Sequence, residues 1–296
     1  MTNTGGFDDQ WYGSFLGNRA PRAERSAAVE PPEDDTPEPG KSVWPDKPDF
    51  RALYPAPDAA CSREQFLKDV AGHQMEVLRD DGMYRHLKFR RPDQGAYWFQ
   101  LTTWPGFLAI TGDMGDFVFT RVNDMFTFFR PDDWEKAKSE LYINPGYWGE
   151  KCVARGRDGL DKFDPATFKA RIADWCADDD DLTKEQWEQI VGEVIRCADD
   201  GHVQAVQAAL DFQMEVEPDR GPGHRAKYRQ YFQDFWEVDC TEWQYHYLWC
   251  LYAIVWGIQQ YDTTMAAKTT YAQAEVVGFE CNPGEGCRAV TKQECQ

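Results

Sequence analysis

The chain has 296 residues, with 51 Asp or Glu against 32 Lys or Arg and a formal net charge of −19. That balance disfavours nucleic acid as a general partner, because binding phosphate needs concentrated Lys and Arg. A solvated acidic surface explains it most simply, and docking on a basic protein or mimicry of DNA stays open.

Apolar residues make up 42% of the chain and aromatics 15%, enough for a sizeable core with rings left over for interfaces. Residues 1–59 are rich in Pro, Gly, Ala and charge, as in EPPEDDTPEPG at 30–40. Their few aliphatics cannot offset the entropy of ordering, so an extended or disordered arm is expected. WYGSFLG at 11–17 is an apolar island within it. The opening MTNTGGFDDQ has no signal-peptide pattern, which implies a cytoplasmic chain with mostly reduced thiols.

Ser62 is suited to cap a helix that runs to Leu78 and stops at Asp80-Asp81-Gly82. Alternating apolar runs at 84–91, 96–104, 107–111 and 116–121 are separated by Pro/Gly turns, the pattern of an antiparallel meander of about four strands. Asn123 or Asp124 then caps a short aromatic helix ended by Pro131, and a second helix follows over 133–141. ARGRDGLDKFD at 154–164 reads as a loop or short hairpin.

The C-terminal half reads as mainly helical. Asp164-Pro165 starts one helix, and Thr183 with Gln186 forms a capping box for another that runs to Cys197. A third, 202–215, carries Val203, Val206, Leu210 and Met214. Thr241 with Gln244 suggests a capping box for a helix over 242–261, apolar nearly all round in its second half and therefore the central core helix. Its most apolar run, Tyr245–Ile258, is about 14 residues, short of the roughly 20 that cross a bilayer. VVGF at 276–279 suits a short strand in a polar tail. The expected organisation is α+β: an arm at 1–59, a meander domain at 60–150, a helical region at 151–265 and a tail at 266–296.

No catalytic constellation is legible, and no cofactor is implied. Gly112-Asp113-Met114-Gly115 lacks the spacing of a phosphate loop and reads as a turn. The five His fall at no metal-ligand spacing, His246 reads as a structural histidine on the core helix, and Asp178–Asp181 lacks the alternation of a calcium loop. An enzyme would have to use residues such as His86 and Asp113, and a DNA mimic the acidic helices of 174–217. Arg85, Lys88, Arg90 and Arg91 reverse the sign of the charge locally, which a solvated edge strand blunted by charge would explain. Of nine Cys, Cys176, Cys197 and Cys250 are expected to be buried thiols. Cys281, Cys287 and Cys295 lie in a Gly-rich tail that a disulfide or metal clip could staple.

YRHLKFRRP (84–92), YWFQLTTWPGFLAITGDMG (97–115), DMFTFFR (124–130) and DFWEVDCTEWQYHYLWCLYAIVWGIQQYD (234–262), with FDPATFK (163–169), resemble the Gabija anti-defence family of phage proteins, the first such family described. The resemblance implies a phage inhibitor with no enzymatic activity, several copies of which encase the bacterial Gabija complex of a nuclease and a helicase-like subunit and block its DNA binding and cleavage. It also implies self-association through the C-terminal part, where Cys281 and Cys287 could link or stiffen subunits. Interfaces of this kind concentrate energy in a few Trp, Tyr and Arg anchors, for which Arg90, Trp104, Phe107 and Tyr147 are the candidates at strand ends and turns.

Overall fold

The computed structural model describes residues 44, 46–217, 227–274, 276–282 and 286–291, with side chains up to 268 except at 216 and 217. The island at 11–17 and the side chains of Cys281, Cys287 and Cys295 lie outside the described part. The fold is α+β, as expected.

Its main sheet is antiparallel, with its strands in chain order: β1 (Gln74–Asp81), β2 (Tyr84–Arg90), β3 (Phe99–Trp104), β4 (Phe107–Gly112), β5 (Phe117–Thr120) and β6 (Cys152–Arg155). The expected meander is β2 to β5, and β1 and β6 are added at its edges.

The helix expected from Ser62 to Leu78 is shorter and gives way to β1. Ser62 does cap it, its side chain accepting from the Gln65 amide, but α2 spans only Arg63–Asp69. Gly72, at φ +83, turns the chain out of the helix. Asp80 and Asp81 end β1 and Gly82 opens a hairpin turn, so this stretch is not a helix stop. Asp81 pairs with Tyr84 across a two-residue loop that opens with Gly82 at φ +59, geometry that matches the twist of paired strands. Met75 and Val77 then face Phe89 and Leu87, so the apolar period here is two.

One face of the sheet is buried through Leu87, Phe89, Phe99, Leu101, Leu108, Ile110, Phe117 and Phe119. It packs on α9 (Tyr245–Ala274), a helix of 30 residues. At Gly257 a Cβ would lie 2.9 Å from Leu101 and 3.1 Å from the Phe89 ring, so this glycine sets how closely helix and sheet approach. Trp249 is fully buried, packs edge-on against Phe66 and Phe99, and donates its indole N–H to Asp69 at 3.1 Å. α3 (Met125–Phe129), capped by Asp124, packs on the same face through Phe129 against Phe119.

The helix α9 starts later than expected, and Thr241 is no cap. Thr241–Trp243 forms β10, paired with β7 (Asp161–Phe163), and the Thr241 hydroxyl donates to Asp239. Gln244 stands before the first turn, its carbonyl accepting from the Leu248 amide. The 154–164 stretch is not a hairpin on itself: β6 joins β5, and β7 joins β10.

A second core is built from α6 (Pro165–Ala177), α7 (Lys184–Glu193), a 3-10 turn at Ile195–Asp200 and α8 (His202–Asp211). Asp164 and the Thr183/Gln186 box cap α6 and α7 as expected. α7 gives way to the 3-10 turn before Cys197, and α8 ends at Asp211. Met214 lies on β8 (Gln213–Glu217), which pairs with β9 (Lys227–Gln230). Pairing with β9 overrode the helical spacing of Met214.

The arm expected over 1–59 fails at its C-terminal end, where residues 49–54 fold onto the second core; residues 1–43 lie outside the described residues. α1 (Phe50–Leu53) seats the buried Phe50 on Trp187, with ring centroids 4.1 Å apart. Arg51 bonds Asp174 at 2.9 Å and Asp178 at 2.8 Å, and Lys47 donates to the Asp179 carbonyl at 2.7 Å. Phe50→Ala should lower unfolding stability by about 3 kcal/mol, read from the shift of a urea midpoint, because a buried ring is lost and a cavity left.

After α9 the chain forms a hairpin of β11 (Val276–Asn282) and β12 (Gly286–Thr291), whose register sets Cys281 opposite Cys287. The expected VVGF strand falls in β11.

Candidate interaction surface

Period two along each strand sends alternate side chains to the face of the sheet away from α9. On β2 these are Tyr84, His86, Lys88 and Arg90; on β3, Gln100, Thr102 and Trp104; on β4, Phe107, Ala109 and Thr111. All are exposed or half-buried.

The basic cluster of the sequence divides on this geometry. Arg85 points inward and forms a two-pronged ion pair with Asp124 at 2.8 and 3.1 Å, over the Phe126 ring. Burial is the largest single influence and opposes both charges, but their hydrogen bonds and mutual attraction together outweigh it, holding the Asp124 carboxyl below the usual range and the Arg85 guanidinium above its own. Arg91 pairs with Asp93 at 2.9 Å. Lys88 and Arg90 remain, with no side-chain hydrogen bond or ion pair among the described residues. The edge-strand explanation of this cluster fails, because β2 lies inside the sheet between β1 and β3.

Lys88 and Arg90 line a recess of about 310 Å³ with Gln94, Gly95, Trp98 and Gln100. Gln100 stands directly opposite Lys88 in the register. Its side-chain oxygen is occupied by His86 Nε2, which leaves its amide N–H groups unpartnered. The recess therefore offers an ammonium, a guanidinium, amide donors and an indole wall. At the other end of the same face, Trp104 and Phe107 stack across the Pro105-Gly106 turn, 5.3 Å apart and 18° from parallel. Gln100 and Trp104 are four residues apart on one strand, or about 13 Å.

Three of the four anchor candidates thus share one face: Arg90 at the recess, Trp104 and Phe107 in the stack. Tyr147 does not join them. It lies on the helix-covered side, on α5 (Pro145–Gly149), against Phe128, with the Lys151 ammonium 4.9 Å from its ring centre. Trp98, Gln94 and Gln100 were not singled out in the sequence; only the strand register, which sets Gln100 beside Lys88, brings them into view.

The Gly-Asp-Met-Gly segment is a turn tied into the scaffold. Asp113 accepts from the Tyr97 amide at 2.8 Å, and the Met114 carbonyl accepts from His246 Nδ1 at 3.0 Å. A Cβ on Gly112 would lie 2.3 Å from the Trp98 carbonyl oxygen, so only glycine fits there. His86 faces Thr102 while Asp113 is held at Trp98, four residues along β3 and about 13 Å away. These two groups do not form an acid–base pair. Asp178 and Asp179 of the acidic run are engaged internally, by Arg51 and by the Tyr231 hydroxyl at 2.9 Å.

Cys176 and Cys250 are buried, Cys197 half-buried, and all three are free thiols. Burial pushes the Cys61 and Cys240 thiols up to about 11 and Cys176 to about 12. Among the described residues no cluster of His, Cys, Asp and Glu is arranged to hold a metal ion, and no helix is long and apolar enough to cross a membrane. No protein-family model, no curated protein and no solved structure matches this chain.

Proposed function

We propose that the chain is a binding protein whose working surface is the outer face of the sheet. The observation that carries this reading is that one face, which no described element covers, presents both two cations without an ion pair among the described residues and a stacked Trp104–Phe107 pair. Large rings and arginines are the kind of anchors on which protein interfaces concentrate their energy.

The partner in this proposal is the bacterial Gabija complex, its nuclease subunit first. The chain acts as a phage-encoded inhibitor in the host cytoplasm, encasing the complex as a homo-oligomer and blocking DNA binding and cleavage. Support for the partner comes from the resemblance of segments 84–92, 97–115, 124–130 and 234–262 to the anti-defence family. The chain works without catalysis, cofactor or direct contact with nucleic acid.

Tagged chain mixed with purified Gabija complex should elute with it as one large species and abolish its DNA cleavage. Separate elution with undiminished nuclease activity would refute the assignment.

A further inference from the structure

The recess at the β2–β3 end of the outer face has a chemistry of its own. Its described polar side chains are Lys88, Arg90, Gln94 and Gln100; the Gln100 oxygen is taken by His86, so that residue presents its amide N–H groups. No carboxylate lines it. Arg85 and Arg91 of the same cluster are each neutralised by an aspartate; Lys88 stands opposite Glu76 across the β1–β2 register without forming an ion pair with it, and Arg90 stands opposite Gln74. The volume, about 310 Å³, is at the small end of ligand sites, of the order of 300 Å³ and up.

We infer that this recess receives the carboxylates of an acidic, extended peptide segment of a partner protein, with an apolar residue of that segment seated on the Trp104–Phe107 stack. The spacing sets the motif. The stack lies about 13 Å from Gln100, which an extended chain covers in four residues. The occupant therefore carries Asp or Glu about four positions from a Phe or Leu. Nucleic acid is the poorer occupant: two cations track too little of a phosphate backbone, and the rest of the chain repels it. This inference deepens the reading of the outer face as a docking surface and rests on it.

The test uses the full chain and the peptide fluorescein-Glu-Glu-Gly-Ser-Phe-Leu-amide, labelled on its α-amine and read by fluorescence anisotropy, with oligothymidylate and inorganic phosphate as parallel probes. The expected result is saturable binding of the peptide. Lys88→Gln/Arg90→Gln should weaken it by about tenfold or more, and so should about 0.5 M NaCl, because two exposed charge contacts are screened or lost. Trp104→Ala should weaken it independently, while a peptide with Lys for Glu should not bind the wild type. Oligothymidylate binding more tightly than the peptide would overturn the inference in favour of nucleic acid. Phosphate alone saturating the site while the peptide does not bind, or peptide binding unchanged in the Gln variants, would overturn it as well. If Trp104→Ala/Phe107→Ala abolishes capture of the Gabija complex while Lys88→Gln/Arg90→Gln leaves it intact, the docking surface stands and the acidic-segment inference falls.

Discussion

Asp124→Ala should destabilise the chain by about 3 kcal/mol, toward the lower end of the cost of breaking a buried ion pair, and further by about 1 kcal/mol for the lost helix cap. Asp124 has two jobs. Its carboxylate accepts both prongs of Arg85, whose side chain is only 10% exposed, and its Oδ1 also accepts from the Phe126 amide at the start of α3. Truncation leaves a guanidinium wedged against the Phe126 and Tyr261 rings with no counter-charge. Asp124→Asn keeps a capping oxygen and removes the charge, so it should recover the capping part alone.

The pH dependence follows from the lowered Asp124 carboxyl. A group whose folded pKa is depressed contributes stability that is fully present above its unfolded value, near 3.9, and is lost as pH falls through the folded one. Urea midpoints of the wild type should therefore decline below about pH 4 more steeply than those of Asp124→Asn. Parallel curves for the two would contradict this.

Trp249→Ala should cost about 3–5 kcal/mol, a large share of the roughly 5–15 kcal/mol that holds a domain together. The indole fills the junction of α2, α9 and the inner sheet face, touching Phe66, Tyr97 and Phe99. Its N–H and the Tyr245 hydroxyl share the Asp69 carboxylate at the C-terminal end of α2. Trp249→Phe keeps most of the packing and loses the hydrogen bond, so it should cost less than half as much. Equal losses for the two variants, measured as urea-unfolding free energies, would mean that the hydrogen bond and not the ring carries the junction.

The meander from Tyr84 to Thr120 was legible because its alternation is uninterrupted and each turn is marked by Pro or Gly. β1 was misread as helix because Gln74–Asp81 alternates weakly: Met75 and Val77 are only half-buried, and a bulge between Val77 and Arg79 breaks the period. β8 and β10 were missed for another reason. Each is short and needs a partner strand, β9 ten residues on for β8 and β7 nearly eighty residues back for β10, and local spacing does not encode that. Thr241 and Gln244 have the letters of a capping box but sit in a strand and a cap position because β7 pairs with Thr241–Trp243. The helix starts at Ser62, Asp164 and Thr183 were read correctly because the capping bond is local, three residues long in each case.

The interaction surface was half legible. Arg90, Trp104 and Phe107 stand out as a cation and large rings at strand ends and turns. Their shared face depends on the register, and so does the separation of Lys88 and Arg90 from the inward-facing Arg85. Tyr147 shares the chemistry of the others but belongs to the opposite layer, which no local pattern distinguishes.

In the proposed function the outer face of the sheet is the docking surface. The affinity of purified chain for immobilised Gabija complex, measured for wild type and Trp104→Ala/Phe107→Ala by biolayer interferometry, addresses it directly. These rings are half-exposed and away from both cores, so the variant should keep the wild-type thermal midpoint while its affinity falls about 30-fold or more, as expected when anchors worth about 2 kcal/mol or more are removed. Unchanged affinity in a variant that remains folded would contradict the account.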